Sequence, residues 1–280
     1  MNLGLPFARI PARSVARGLG EETTSGDRPT HSAIYLYHAD LRQTGWRKLV
    51  RLLSAEERRR ANAFAFERDA RRYIVSHAVL RTLLGHATGI PPGALSFRRE
   101  PGLKPVLEAS TAYPIHFSLS RSQEVVLIGL ASRPLGVDIE WLAKAVDIEV
   151  LADFVLSDRE REAFGQLDPG DRQRAFLKGW IQKEAYLKAI GRGLHVSPST
   201  VEVCLGAGTA ARLKTIAGDS RAAARWSVDI VTPREEYMGA VAILGDRRRV
   251  QMTAFDTSSL LVENRPGASA AAAVAIRDQG

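Results

Sequence analysis

The sequence predicts an α+β fold of two similar halves, each pairing a long helix with a small antiparallel sheet. Three observations predict it: an internal repeat at near-constant spacing, a long amphipathic helical pattern in each copy, and alternating strands at mid-chain. Leu53-Ser54-Ala55-Glu56-Glu57-Arg58 reappears as Leu156-Ser157-Asp158-Arg159-Glu160-Arg161, and the stretch from Arg72 to Gly89 aligns with that from Arg174 to Gly191. The identities are few, but two blocks displaced by nearly the same distance point to duplication.

The elements follow in order. Residues 1–30 are rich in Gly, Ser, Thr, Arg and Pro, with no acid before Glu21, and are expected to form a disordered leader. The N-terminal half is expected over 31–133. In it Ser54-x-x-Glu57 is a capping box that opens a helix, since serine can accept from the backbone while glutamate reaches back. A long helix is expected from about Asp69 to Gly85. His116 to Ser120 and Leu135 to Trp141 alternate, and Val125 to Ala131 is apolar and β-branched, so three strands are expected, with Ser132-Arg133-Pro134 turning between the last two. In the C-terminal half, 134–262, Ser157-x-x-Glu160 opens a second capped helix and a long helix follows from about Asp171 to Ile190, ended by Gly191 or Gly193. Residues 263–280 form a Pro/Gly/Ala tail, expected to be disordered.

Composition narrows the function. Thirty-nine Lys and Arg against 31 Asp and Glu leave a net charge of +8 in 280 residues, which favours a polyanionic partner. The basic residues form no tract with interleaved aromatics and no zinc-finger or RNA-recognition signature, so nucleic acid is not the expected partner. An acidic protein or a phosphate-rich cofactor satisfies the same charge. The best candidate for a membrane segment, the apolar run Val125 to Ala131, is only strand-sized, so no membrane segment is expected. One cysteine, Cys204, forms no internal disulfide, and a cytoplasmic protein is expected.

Gly136-Val137-Asp138-Ile139-Glu140 carries the first candidate chemistry. In a strand, period-two alternation sends Asp138 and Glu140 to one face together. Such a pair is either the wet face of a half-buried sheet or an all-oxygen site for Mg²⁺ or Mn²⁺. On the following long helix Trp180, Glu184 and Lys188 stand four apart on one face. They read as a surface ion pair beside a tryptophan, or as a third carboxylate with a phosphate-binding lysine one turn on. Arg58, Arg59, Arg60, Arg71 and Arg72 fall on helical segments, while Lys104-Pro105 and Arg121 are expected in loops flanking the His116 strand. Together with a metal they suit a ligand with several phosphates.

These motifs resemble the 4′-phosphopantetheinyl transferases of the monomeric, surfactin-synthetase-activating type. The resemblance rests on Lys104-Pro105 with Phe117-Ser118-Leu119-Ser120-Arg121-Ser122, on Gly136-Val137-Asp138-Ile139-Glu140, and on Trp180-x-x-Lys183-Glu184-Ala185 leading to Lys188-x-x-Gly191-x-Gly193-Leu194. It implies an internal pseudo-dimer with its active site in the cleft between the halves. It also implies transfer of phosphopantetheine from coenzyme A to a serine of an apo acyl or peptidyl carrier protein, an acidic partner. By the resemblance Asp138, Glu140 and Glu184 hold Mg²⁺ (or Mn²⁺), Lys188 contacts the pyrophosphate, and Arg60, Arg72, Lys104, Ser120 and Arg121 contact the 3′-phosphoadenosine end. Glu160 is the implied base, with helix capping as its competing role, and Lys183 is implied near the leaving group. Two departures stand out: Ser118 and Arg121 replace the family's usual asparagine and histidine, and Glu57 stands where a basic residue is usual. Other classes left open are a non-catalytic module for coenzyme A-like phosphate ligands and, further off, a nucleic-acid-binding protein.

Overall fold

A computed structural model describes residues 33–261, apart from 112, 144–146, 192–195, 207 and 248. The leader and the tail, like Gly193 and Leu194 of the last motif, lie outside the described residues. The chain is mixed α/β, with helices on small, mainly antiparallel sheets.

Strands β1 (Ile34–Asp40), β4 (His116–Ser122) and β5 (Val125–Ala131) form one antiparallel group in the order β1-β5-β4. Strands β6 (Leu135–Trp141), β9 (Trp226–Val231) and β10 (Tyr237–Leu244) form another in the order β6-β10-β9. Between the first and second strand of each group run a short capped helix, a 22-residue helix and a small hairpin. These are α1 (Ala55–Asn62), α2 (Glu67–Thr88) and the pair β2 (Ser96–Arg98) and β3 (Val106–Glu108). Their counterparts are α4 (Asp158–Gly165), α5 (Pro169–Ile190) and the pair β7 (Val201–Val203) and β8 (Leu213–Ile216), with α3 (Ile148–Val155) and α6 (Ser220–Ala224) as additions.

Sequence chemistry explains the boundaries. Both capping boxes are present: Ser54 and Ser157 each accept from the backbone N–H three residues on, and Glu57 and Glu160 each accept the serine's own N–H. Both long helices end on a left-handed glycine, Gly89 at φ 75° and Gly191 at φ 70°, a conformation that glycine adopts without a Cβ clash. Both begin two residues earlier than the amphipathic pattern suggests. Strand β4 runs on through Arg121 and Ser122, pairing with Val126 and Val125, before Gln123 turns at φ 47°. Arg121 therefore stands on a strand, not in a loop as expected.

One strand breaks the parallel between the two strand groups. β11 (Val250–Ala254), late in the chain, pairs parallel to β1, with Ile34 opposite Val250 and His38 opposite Ala254. The two groups also share a core. Ile34, Leu36 and Leu127 pack with Val137, Ile139 and Val241, all fully or almost fully buried.

Candidate active site along the β4–β6 seam

Where the two sheets meet, β4 and β6 are joined by side chains. Ser118, Ser120 and Ser122 share one face of β4 by period-two alternation. Ser118 Oγ accepts from Val137 N at 3.0 Å and Ser122 Oγ accepts from Trp141 N at 3.0 Å, so two hydroxyls satisfy backbone donors of β6. The same serines aim the acids: Ser120 Oγ donates to Asp138 Oδ1 at 2.7 Å and Ser122 Oγ donates to Glu140 Oε2 at 3.0 Å. Of these three serines, the sequence marks only Ser120 as a site residue. The signal that would have found Ser122 is the shared parity of its serines with Asp138 and Glu140.

Helix α5 supplies the other wall, held close by Gly136. A Cβ there would lie 2.0 Å from the Ala185 carbonyl oxygen and 2.4 Å from Ala189 N, so only glycine fits. That approach brings Lys188 Nζ to 2.5 Å from Asp138 Oδ1 and 2.9 Å from Ser120 Oγ. Asp138 is 4% exposed and its second oxygen, Oδ2, has no hydrogen-bond partner among the described residues. Glu184 faces the same charges. Its pKa is raised, first by burial and then by Asp138 and Glu140, while Lys188 opposes the rise. As they lie, no group of three or more His, Cys, Asp or Glu side chains among the described residues closes into a ready-made ion shell. The donor set nonetheless fits a hard cation: all its donors are oxygens, one is orphaned and buried, and the carboxylates repel one another.

Beside the cluster lies a cavity of about 320 Å³ lined by Lys104, Lys188, Phe117, His77, Arg99 and Glu57 among others. The Lys104 backbone N–H donates to the Gly191 carbonyl at 3.0 Å and its ammonium to the Leu135 carbonyl at 2.7 Å, which fastens the Lys104-Pro105 loop to the end of α5. Burial, with Lys188 as a lesser cause, pushes the Lys104 ammonium down to about 7. On the opposite face of β4, Arg121 lies over the Tyr73 ring at 5.7 Å and Arg60 over the same ring at 6.0 Å.

Three expected site residues are held by other partners. Arg72 is held by Glu124 at 2.7 Å and by Gln123 at 3.3 Å. Glu160, 4% exposed, accepts from Ser157 N, from Val203 N at 2.7 Å and from Lys183 Nζ at 2.5 Å. Lys183, wholly buried, also donates to the carbonyls of Val155 and Pro198. The capping role of Glu160 is thus present in full. Glu57 is used in the same manner, capping Ser54 and accepting from buried Arg81 Nε at 2.6 Å, which accounts for an acid where a basic residue was expected.

Comparison with known proteins decides the family. Residues 41–134 match the 4′-phosphopantetheinyl transferase N-terminal model and residues 134–242 match the 4′-phosphopantetheinyl transferase superfamily model. The 4′-phosphopantetheinyl transferase HetI of Nostoc sp. is 34% identical over 199 residues, covering 70% of this chain and 81% of that protein. The chain belongs to the 4′-phosphopantetheinyl transferase family. Among its other relatives, the transferase psf-1 of Bacillus pumilus is 30% identical over 55% of this chain and 64% of its own length. A 4′-phosphopantetheinyl transferase of Bacillus subtilis is 28% identical over 56% and 69%. Among the described residues no helix of this transferase is long and apolar enough to cross a membrane.

Proposed function

We propose that this transferase carries out its reaction at the β4–β6 seam, using Asp138, Glu140 and Glu184 to hold Mg²⁺ (Mn²⁺ as a substitute) against the pyrophosphate of coenzyme A. The observation that carries this reading is the buried Asp138 with one oxygen on Lys188 and Ser120 and the other orphaned, beside a Glu184 whose pKa is raised by burial first and by its acidic neighbours second. When bound, the cation neutralises pyrophosphate charge and the charge building on the leaving phosphate. Lys188 adds a second positive charge at the same place, and Ser120 and Ser122 fix the carboxylates so that little reorganises during reaction.

The serine oxygen of an apo acyl or peptidyl carrier protein attacks the β-phosphorus of coenzyme A. The bond from that phosphorus to its bridging oxygen breaks, adenosine 3′,5′-bisphosphate leaves with that oxygen, and the serine's proton passes to solvent water. In such transfers positioning and electrostatics supply most of the acceleration. Lys104, Arg60 and Arg121 are assigned to the nucleotide end, with Arg72 behind them on Glu124. The burial of Glu160 and Lys183 against each other supports a framework role for both, since releasing either leaves an unpaired buried charge.

The matching strand orders, β1-β5-β4 and β6-β10-β9, support reading the chain as an internal pseudo-dimer, with the site in the cleft between halves 31–133 and 134–262. Such a chain completes its site as a monomer. The charge of +8 suits an acidic carrier, and the lone Cys204 a cytoplasmic setting.

The test is intact-protein mass spectrometry of apo carrier proteins incubated with coenzyme A and Mg²⁺. Asp138→Asn and Glu184→Gln are expected to slow the phosphopantetheine mass gain by about 10²–10³-fold or more. Both should keep the wild-type circular dichroism spectrum and lose saturable Mn²⁺ binding by titration. Wild-type rates and Mn²⁺ binding in either would sink the assignment.

A further inference from the structure

We propose that Tyr73 is a positioning residue for the 3′-phosphate of coenzyme A, its buried ring carrying the two guanidinium groups, Arg60 and Arg121, that grip that phosphate together. The inference rests on the assignment of Arg60 and Arg121 to the nucleotide end made above, and it adds what sets their geometry.

Three separate elements converge on one ring. Tyr73 comes from α2 and is 3% exposed. Arg60 reaches it from the last turn of α1 and Arg121 from β4, with their guanidinium carbons 6.0 Å and 5.7 Å from the ring centroid. Both distances are within the reach of attraction between a cation and a ring face. The ring is itself fixed. His77, one turn on, stacks on it at 3.9 Å with planes 25° apart, and Phe64 closes another side at 5.5 Å. Burial pushes the His77 imidazole down to about 4, so it is neutral near pH 7 and its Nδ1–H donates to the Tyr73 carbonyl at 2.9 Å. Ser76 donates to that carbonyl at 3.0 Å and accepts a long contact from Arg121 Nη1 at 3.4 Å.

The cations are poised and unspent. Both arginines are exposed, and among the described residues neither has a carboxylate within ion-pairing distance; Arg71 and Arg72 have taken Glu124. Two like charges gathered over one ring repel each other unless an anion joins them, and two forks suit a phosphate with several free oxygens. The strand decides which phosphate. Arg121 points to the face of β4 opposite Ser120 and Ser122, away from the carboxylates and Lys188 that serve the pyrophosphate. A terminal phosphomonoester, dianionic near pH 7, is the remaining candidate on coenzyme A.

The experiment compares KM and kcat for coenzyme A and for dephospho-coenzyme A, which lacks only the 3′-phosphate, with one apo carrier protein and Mg²⁺. Tyr73→Phe is expected to retain most of the wild-type preference for coenzyme A. Replacing that Phe by pentafluorophenylalanine keeps the shape and reverses the charge of the ring face. It is expected to raise KM for coenzyme A about tenfold while sparing kcat and the KM for dephospho-coenzyme A. Tyr73→Leu is expected to do the same where it folds. If the fluorinated chain prefers coenzyme A as strongly as Tyr73→Phe, the role of Tyr73 is overturned. Wild type that fails to distinguish the two substrates, with Arg60→Gln and Arg121→Gln silent, would overturn the nucleotide-end assignment as well. Arginine variants that weaken coenzyme A beside silent Tyr73 variants would overturn only the inference.

Discussion

Lys104 is an ammonium held where charge is expensive. Its pKa of about 7 against an ordinary 10.5 has burial as the main cause. The folded chain therefore binds fewer protons than the unfolded chain between about pH 7 and 10.5, and stability contributed by this residue rises with pH across that window. Anionic ligand phosphates work in the opposite direction, favouring the charged form. Coenzyme A binding near pH 8 is thus expected to take up protons, seen calorimetrically as a dependence of the binding heat on buffer ionisation enthalpy. Lys104→Met should remove that dependence, and an unaltered uptake would refute it. Arg121, standing where histidine is usual, carries a permanent charge. Arg121→His is expected to make KM for coenzyme A climb between pH 6 and 8 more steeply than in wild type.

At the scale of elements, the seam depends on contacts that tolerate little change. Gly136→Ala would push β6 off α5 and is expected to cost about 3 kcal/mol, measured by urea unfolding, with activity falling because Asp138 and Glu184 sit on the separated elements. The buried pairs Glu57–Arg81 and Glu160–Lys183 each tie a capped helix to the long helix that follows. Glu160→Gln is expected to destabilise by about 3–5 kcal/mol, while the correctly folded fraction still turns over. A stable but dead Glu160→Gln would restore it as the base.

The elements show why some of this was legible in sequence. Strand β5 stands where its apolar, β-branched run placed it and β6 where alternation did, and both capping boxes form as read, because each depends on neighbours a few residues apart. Asp138, Glu140, Glu184 and Lys188 could be gathered from period and helix pitch together with the family resemblance. The pairing of Arg81 with Glu57, the hydroxyl-to-backbone bonds of Ser118 and Ser122, and the ring of Tyr73 under two arginines could not. They join residues remote in sequence by one side chain each, and single contacts leave no periodic trace. Arg121 was misplaced for a related reason: the end of a strand is set by its partner, here Val126, more than by its own residues.

At the scale of the whole molecule, the two sheets share buried residues and a strand is lent from late in the chain to the first sheet. Cutting the chain between Ser132 and Pro134 is therefore expected to leave neither piece folded alone. Circular dichroism of the separate and the recombined fragments checks this, and a cooperative melt of the first piece by itself would contradict it.

The lent strand also bears on how the protein is made. β1 leaves the ribosome early, yet the neighbour on its outer side is β11, so the order of synthesis and the order of closure cannot coincide. Until residues 250–254 emerge, Ile34 to His38 present an open row of backbone donors and acceptors, the kind of edge on which chains aggregate. Slow translation or a stall between β5 and β11 should then lower the soluble yield more than any loss of catalytic residues would, and a short peptide carrying the β11 sequence should rescue chains arrested in that interval.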